Sequence, residues 1–323
     1  MSRLLCALLL TTSPALAEAP SVVTDLPLTQ SLVAGILGEG AEVTALLERG
    51  ADPHHAQLRP SQARALSGAD LVVWIGPGLS PWLQGPLDSL AGGRVLDLSA
   101  VPGLYTQDFA EDEHDDHAHD DQDHDHAHDD HDHDHDDHGH GHDDHGHDHS
   151  GMDPHLWLDP GNVAIWQRAL GAELAAEDPE HAADYSARAE EAAFRTEALR
   201  AEVAAILAPV GDAGLVMFHD AYGYFAHAFG LNVVATISDG DASAPGAARI
   251  AALRADLQQD QAVCLFPEAN HPDDFARVVA EGTNLRIGAP LDPAGMGLEP
   301  GVDLYARLMR GLAQSIADCV TGG

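Results

Sequence analysis

The sequence predicts an α/β fold of two lobes, each a roughly four-stranded, mainly parallel sheet with flanking helices, joined by one long backbone helix. Three observations carry this reading. Short apolar runs such as Leu71-Val72-Val73-Trp74-Ile75 recur in two groups, as expected of strands buried on both faces of a parallel sheet. Helix-like stretches alternate with them. A glycine-free run of about 30 residues separates the groups.

The chain opens on an address. Met1-Ser2-Arg3 is a short basic start, Leu4 to Leu10 is apolar, and Ala15-Leu16-Ala17 offers small residues for cleavage. Residues 1–17 are therefore expected to be a signal peptide, cleaved near Ala17 to release an exported, periplasmic protein. That apolar run is too short for a bilayer, and no later one reaches the ~18 residues a span requires.

In the first lobe, residues 18–178, strands are expected at Ser21–Leu26, Glu42–Leu47, Asp70–Gly76 and Arg94–Ser99, with helices at 28–38, 60–69 and 80–90. The linking helix, residues 179–208, opens on Asp178-Pro179 and stops at Pro209 and Gly211. Tyr185, Ala189, Ala192, Thr196, Leu199, Val203 and Ile206 form a one-sided stripe along it, suited to packing on its own lobes rather than to a coiled-coil dimer. In the second lobe, residues 209–323, strands are expected at Leu215–Phe218, Asn232–Ile237, Ala262–Phe266 and Leu285–Leu291, and helices at 221–229, 246–259, 272–281 and 302–318. Cys264 and Cys319 remain after cleavage. An oxidising compartment makes a disulfide their default.

The chain has 323 residues, 45% of them apolar, enough for a core without staples. Its formal charge is −38, from 53 acidic residues against 15 basic ones, all arginine. No basic stripe could track phosphates, which excludes nucleic acid as a partner. Between Glu111 and His149 lie 18 carboxylates and 15 of the 22 histidines: His114, His117, His119, His124, His126, His128, His131, His133, His135, His138, His140, His142, His145, His147 and His149. Residues 111–150 have almost no aliphatic side chains and read as a disordered loop. Imidazoles interleaved with carboxylates suit weak, multiple binding of divalent metal such as zinc.

Outside that segment, three of seven histidines stand at strand-to-helix junctions: His54 in Gly50-Ala51-Asp52-Pro53-His54, His155 in Asp153-Pro154-His155-Leu156-Trp157, and His219 in Phe218-His219-Asp220. Ligands of open parallel sheets bind beyond the carboxyl ends of the strands, so these imidazoles should meet between the lobes. Three imidazoles and an oxygen suit Zn(II). Asp292, in Leu291-Asp292-Pro293, is the favoured fourth ligand, with Glu268 or water as rivals, Glu268 alternatively accepting an imidazole N–H. His55 is expected beside the site or in solvent, and His181, His227 and His271 as ordinary helix residues. The same donors would suit a zinc-dependent hydrolase or hydratase whose metal holds three imidazoles and a water, but no proton shuttle is evident.

The motifs around His54, with Leu58-Arg59-Pro60-Ser61 and Ala69-Asp70-Leu71-Val72-Val73-Trp74-Ile75-Gly76-Pro77, resemble the cluster A-I (TroA-like) solute-binding proteins of metal-importing ABC transporters. The resemblance continues through His155-Leu156-Trp157-Leu158-Asp159-Pro160, Phe218-His219-Asp220-Ala221-Tyr222 and Leu291-Asp292-Pro293, and the His-rich insertion is similar to that of the zinc-specific, ZnuA-type members. It implies two lobes on a rigid helix, Zn(II) held by His54, His155 and His219, and a disulfide between Cys264 and Cys319. It also implies capture of zinc for an inner-membrane ABC permease. Some zinc members carry Glu before the first histidine; here that place is Pro53. Further expectations are a monomer, a periplasmic zinc chaperone as partner, proton release on capture with affinity falling below about pH 6.5, and modest rearrangement on binding. A buffer or adhesin without a transporter would share the same cleft.

Overall fold

A computed structural model of the chain describes residues 19–38, 42–109, 151–238, 245–257, 262–272 and 274–322. The expected signal peptide and the histidines of residues 111–149 lie outside the described residues.

The first lobe is β1 (Val22–Thr24), α1 (Pro27–Leu37), β2 (Val43–Ala45), α2 (Pro60–Gly68), β3 (Leu71–Trp74), α3 (Pro81–Leu90) and β4 (Arg94–Asp97). Its sheet is wholly parallel, in the order β2-β1-β3-β4. The two inner strands, Val-Val-Thr and Leu-Val-Val-Trp, are buried at every residue, whereas β4 at the edge exposes Arg94 and Val95. Proline begins each of the three helices, where its missing N–H costs nothing and its φ is already helical. Just past β1, the buried Asp25 carboxylate accepts from the backbone N–H of Leu26 (2.8 Å) and Ile75 (2.7 Å) and from the Thr29 hydroxyl (2.6 Å), joining two strands to the first turn of α1.

Two helices follow, one after the helix start expected at His155 and one in place of the expected linking helix. The first, α4 (Pro160–Glu177), is capped by Asp159 accepting from Gly161 N; the second, α5 (Ala182–Leu207), has 26 residues and so runs for about 39 Å. They pack as a hairpin. Gly171 of α4 lies against Ala189 of α5 so closely that a Cβ on it would stand 2.4 Å from the Ala189 methyl. The stripe on α5 from Tyr185 to Val203 is buried, and Ile206 packs at its edge, against α4, α1 and the last helix rather than a second copy.

The second lobe repeats the plan with β5 (Gly214–Met217), α6 (Gly223–Phe229), β6 (Asn232–Thr236), α7 (Ala247–Leu257), β7 (Ala262–Leu265), α8 (Asp274–Ala280), β8 (Arg286–Ile287) and α9 (Leu304–Thr321), its parallel sheet ordered β6-β5-β7-β8. The last strand is shorter than expected: beyond Ile287 the chain keeps only a parallel bridge between Leu291 and Glu268. Cys264 on β7 and Cys319 on α9 form a disulfide with a Cα–Cα distance of 6.2 Å, fastening the final helix to its sheet. No described helix is long and apolar enough to cross a membrane.

Between the lobes, Gly50 N donates to Met296 O (3.0 Å), Arg49 reaches Gly297 O (2.7 Å), Trp157 Nε1 donates to Pro293 O (2.7 Å) and the Tyr305 hydroxyl donates to Trp157 O (3.0 Å). These bonds hold the loop after β2, the 3-10 turn Leu156–Leu158 and the turn at residues 292–297 against one another.

Candidate metal centre

His54 sits in the loop between β2 and α2. Asp52 Oδ1 accepts its backbone N–H (2.9 Å), and the Pro53 carbonyl takes the Trp82 indole N–H (2.9 Å) and the Ser80 hydroxyl (3.2 Å), so α3 pins the loop from below. His155 opens the 3-10 turn before α4, with its backbone N–H (2.9 Å) and its ring Nδ1 (2.7 Å) both on Asp153 Oδ1. His219 lies two residues past β5, where Glu268, three residues past the adjacent β7, meets it. The three imidazoles converge. Ring centroids are 5.5 Å apart for His54 and His155, 5.3 Å for His155 and His219, and 6.4 Å for His54 and His219. One ligand atom from each lies within 4.8 Å of the others, and this is the one such group of three or more donors among the described residues.

Carboxylates set the orientation of the two buried rings. A carboxylate only accepts, so His155 Nδ1 carries the proton toward Asp153 and leaves Nε2 for the cluster. On the other side Glu268 Oε1 accepts from His219 Nδ1 at 2.5 Å and from the Tyr222 hydroxyl at 3.2 Å. His219 Nε2 is buried and has no hydrogen-bond partner, a costly state unless something electron-poor occupies the space before it. Burial holds His155 well below the ordinary imidazole pKa, keeping it in the neutral form that ligates.

The cavity before these rings measures about 170 Å³, and Asp52, Glu268, Asn270, His271 and Asp292 also line it. A larger groove of about 850 Å³ between α1, α5 and α9 contains no imidazole, and its two carboxylates, Glu202 and Asp303, belong to no group of three donors among the described residues, so it is no rival as a metal site. Asp292 reaches the wall but stands outside the 4.8 Å cluster, its two oxygens accepting Met296 N (3.0 Å) and Gly297 N (2.7 Å). Glu268 is placed behind His219 rather than in the cluster. His55 turns its Nδ1 to Asp52 Oδ2 (3.0 Å) on the exposed side. His181 bonds Asp178 (2.7 Å), and His227 stacks on Tyr105 with 3.8 Å between centroids. His271 was expected to be an ordinary helix-start residue, yet it faces the same cavity as the cluster. Its nearness to Glu268, three residues earlier, was the available signal.

The family described as "Zinc-uptake complex component A periplasmic" (ZnuA) matches residues 22–319. The high-affinity zinc uptake system protein ZnuA of Paracoccus denitrificans is 50% identical over 308 residues, covering 95% of this chain and 94% of that one. Its counterpart of the same name in Brucella suis biovar 1 is 39% identical over 311 residues, covering 94% and 92%. The periplasmic zinc-binding protein TroA of Treponema pallidum shares the fold, with a TM-score of 0.72 at 20% identity over 94% of this chain and 99% of that one.

Proposed function

The chain belongs to the family of periplasmic zinc-uptake complex components, and on that premise we propose that His54, His155 and His219 capture one Zn(II) between the lobes for delivery to an inner-membrane ABC permease. The family is one of solute-binding proteins rather than enzymes, and the hydrolase reading falls with that. The observation that carries the ligand assignment is the buried, unpartnered Nε2 of His219 within the three-imidazole cluster.

Three neutral imidazoles and one oxygen complete a tetrahedral zinc site. Asp292 is the protein oxygen proposed for the fourth place. Each of its oxygens accepts one backbone N–H and so keeps a lone pair, but the side chain must swing inward; water fills the place otherwise. The rigid helical hairpin and the bonds between the lobes favour small rearrangements over wide closure. Residues 111–149 collect further zinc weakly, a periplasmic chaperone supplies it, and the protein works as a monomer cleaved near Ala17, with residues 18–178 and 209–323 as lobes about the linking helix 179–208.

Zinc titration against a competing chelator tests the ligand set. One tight site is expected in the full chain, lost in His155→Ala and in His219→Ala. Retention of that tight site in both variants overturns the assignment.

A further inference from the structure

His271 occupies a position the three-histidine cluster leaves unexplained. A tight turn, closed by His271 N donating to Glu268 O at 3.2 Å, puts both side chains on one side of the loop after β7. The imidazole is stacked on Phe218, the residue before His219, with 4.4 Å between centroids and 25° between planes. Its side chain is 27% exposed, against 4% for His219 and 2% for His155, so it joins solvent to the cavity that those two rings close at depth. Glu268 faces both ways. Its Oε1 takes His219 Nδ1, and its Oε2 stands 4.0 Å from His271 Nε2. Two donors on a tetrahedral zinc lie about 3.4 Å apart, so a small rotation of a partly exposed imidazole lets one ion join them.

We propose that His271 is the ligand incoming zinc meets first, holding it with Glu268 Oε2 before the ion passes inward to His54, His155 and His219. This rests on the capture function proposed above and adds the route by which the cluster fills and empties. The buried rings of His155 and His219 can meet the ion only after it has shed water, whereas His54 is half-buried. A partly exposed imidazole and a carboxylate oxygen replace that water one donor at a time, and the same exchange runs backward on release. His271 is thus a transfer ligand and leaves the final coordination to the half-buried His54 and the buried His155 and His219.

The test is stopped-flow zinc uptake and chelator-driven release at substoichiometric metal, on the full chain and two variants. His271→Ala removes donor and stacking; His271→Phe keeps a ring on Phe218 and removes only the donor. Association and release should both slow by about tenfold in each variant, with equilibrium affinity held within about threefold. Wild-type rates in His271→Phe would overturn the proposal, since the ring would then serve packing alone. So would a large affinity loss carried by faster release, which would make His271 a resident ligand. A His155→Ala control keeps the two readings apart: if it retains tight zinc, the capture site itself is wrong, whatever the rates of the His271 variants.

Discussion

His219 Nδ1 stands 2.5 Å from Glu268 Oε1 while the opposite nitrogen of the same ring is buried and unpartnered. The carboxylate fixes the tautomer, aims Nε2 at the cluster and makes it more basic. Asp153 does the same for His155 from the first lobe, at 2.7 Å. Removing the acceptor in Glu268→Ala should cost about 10- to 100-fold in zinc affinity. Glu268→Gln keeps a carbonyl to accept the N–H and should recover part of that. Competition titrations decide it; equal affinities for Ala and wild type would mean that the contact orients nothing.

Asp25 makes an acid-side prediction. Burial pushes its carboxyl up to about 6 from an ordinary 3.8, against three donors that favour the anion. Between those values the folded chain holds a proton that the unfolded chain has released, so stability falls as pH rises through that window. The loss is on the order of 3 kcal/mol by pH 7. Asp25→Asn does not titrate, so its stability relative to wild type should improve between pH 4 and 7 by a similar amount. It should start from a deficit, because the amide presents donors where Ile75 or Leu26 already donates. Denaturant unfolding across that range checks it, and a flat difference would refute it.

Gly171 reports the close approach of α4 and α5. Alanine would gain about 1 kcal/mol of helix propensity. Its Cβ, however, would stand 2.4 Å from the Ala189 methyl, forcing the hairpin apart at a net cost of about 1–3 kcal/mol. Gly171→Ala should therefore lower the urea midpoint, and adding Ala189→Gly should return part of the loss. A single variant more stable than wild type would rule out the tight crossing.

The same glycine explains what the sequence hid. The buried stripe of α4 includes Asn162, Gln167 and Gly171 among Val163, Trp166, Leu170 and Leu174, so its apolar period is diluted and only its start after His155, not its extent, was legible. Asn162 accepts Tyr105 N and donates to Tyr105 O, and Gln167 accepts from Thr196, contacts that pattern cannot announce. The inner strands were legible because both faces are buried and the runs are continuous. The three histidines stood out because each follows a strand or opens a helix. Which donor a carboxylate serves depends on side-chain direction across neighbouring strands, so Glu268 read equally as ligand or as support. His271 was lost for the same reason.

The Cys264–Cys319 bridge closes a sequence separation of 55 and ties α9 to β7. On the chain-entropy view it contributes about 4 kcal/mol, chiefly by restricting the unfolded chain. Cys264→Ala with Cys319→Ala should lower the melting temperature yet leave zinc affinity within about threefold. Loss of tight binding in a folded double variant would show that the bridge positions Glu268 through β7.

Deleting residues 111–149 separates the acidic His-rich segment from the cluster. Its flanks are held together: Asp108 and Met152 form an antiparallel bridge, Phe109 N donates to Gly151 O (3.2 Å), and Asp153 N donates to Gln107 O (2.9 Å). Paired residues lie about 5 Å apart, so a turn of about four residues closes the gap without moving either flank. The nearest flank matters, because Asp153 carries the acceptor for His155 and its carbonyl takes the Tyr224 hydroxyl (3.0 Å) from the second lobe. A deletion that kept the bridge should remove the weak zinc sites and keep one tight site. A deletion that cut into Gln107 or Asp153 should weaken the tight site as well. Calorimetry of both variants distinguishes these. Loss of tight binding with the flanks intact would place a ligand in the segment and break the proposed division between collection and capture.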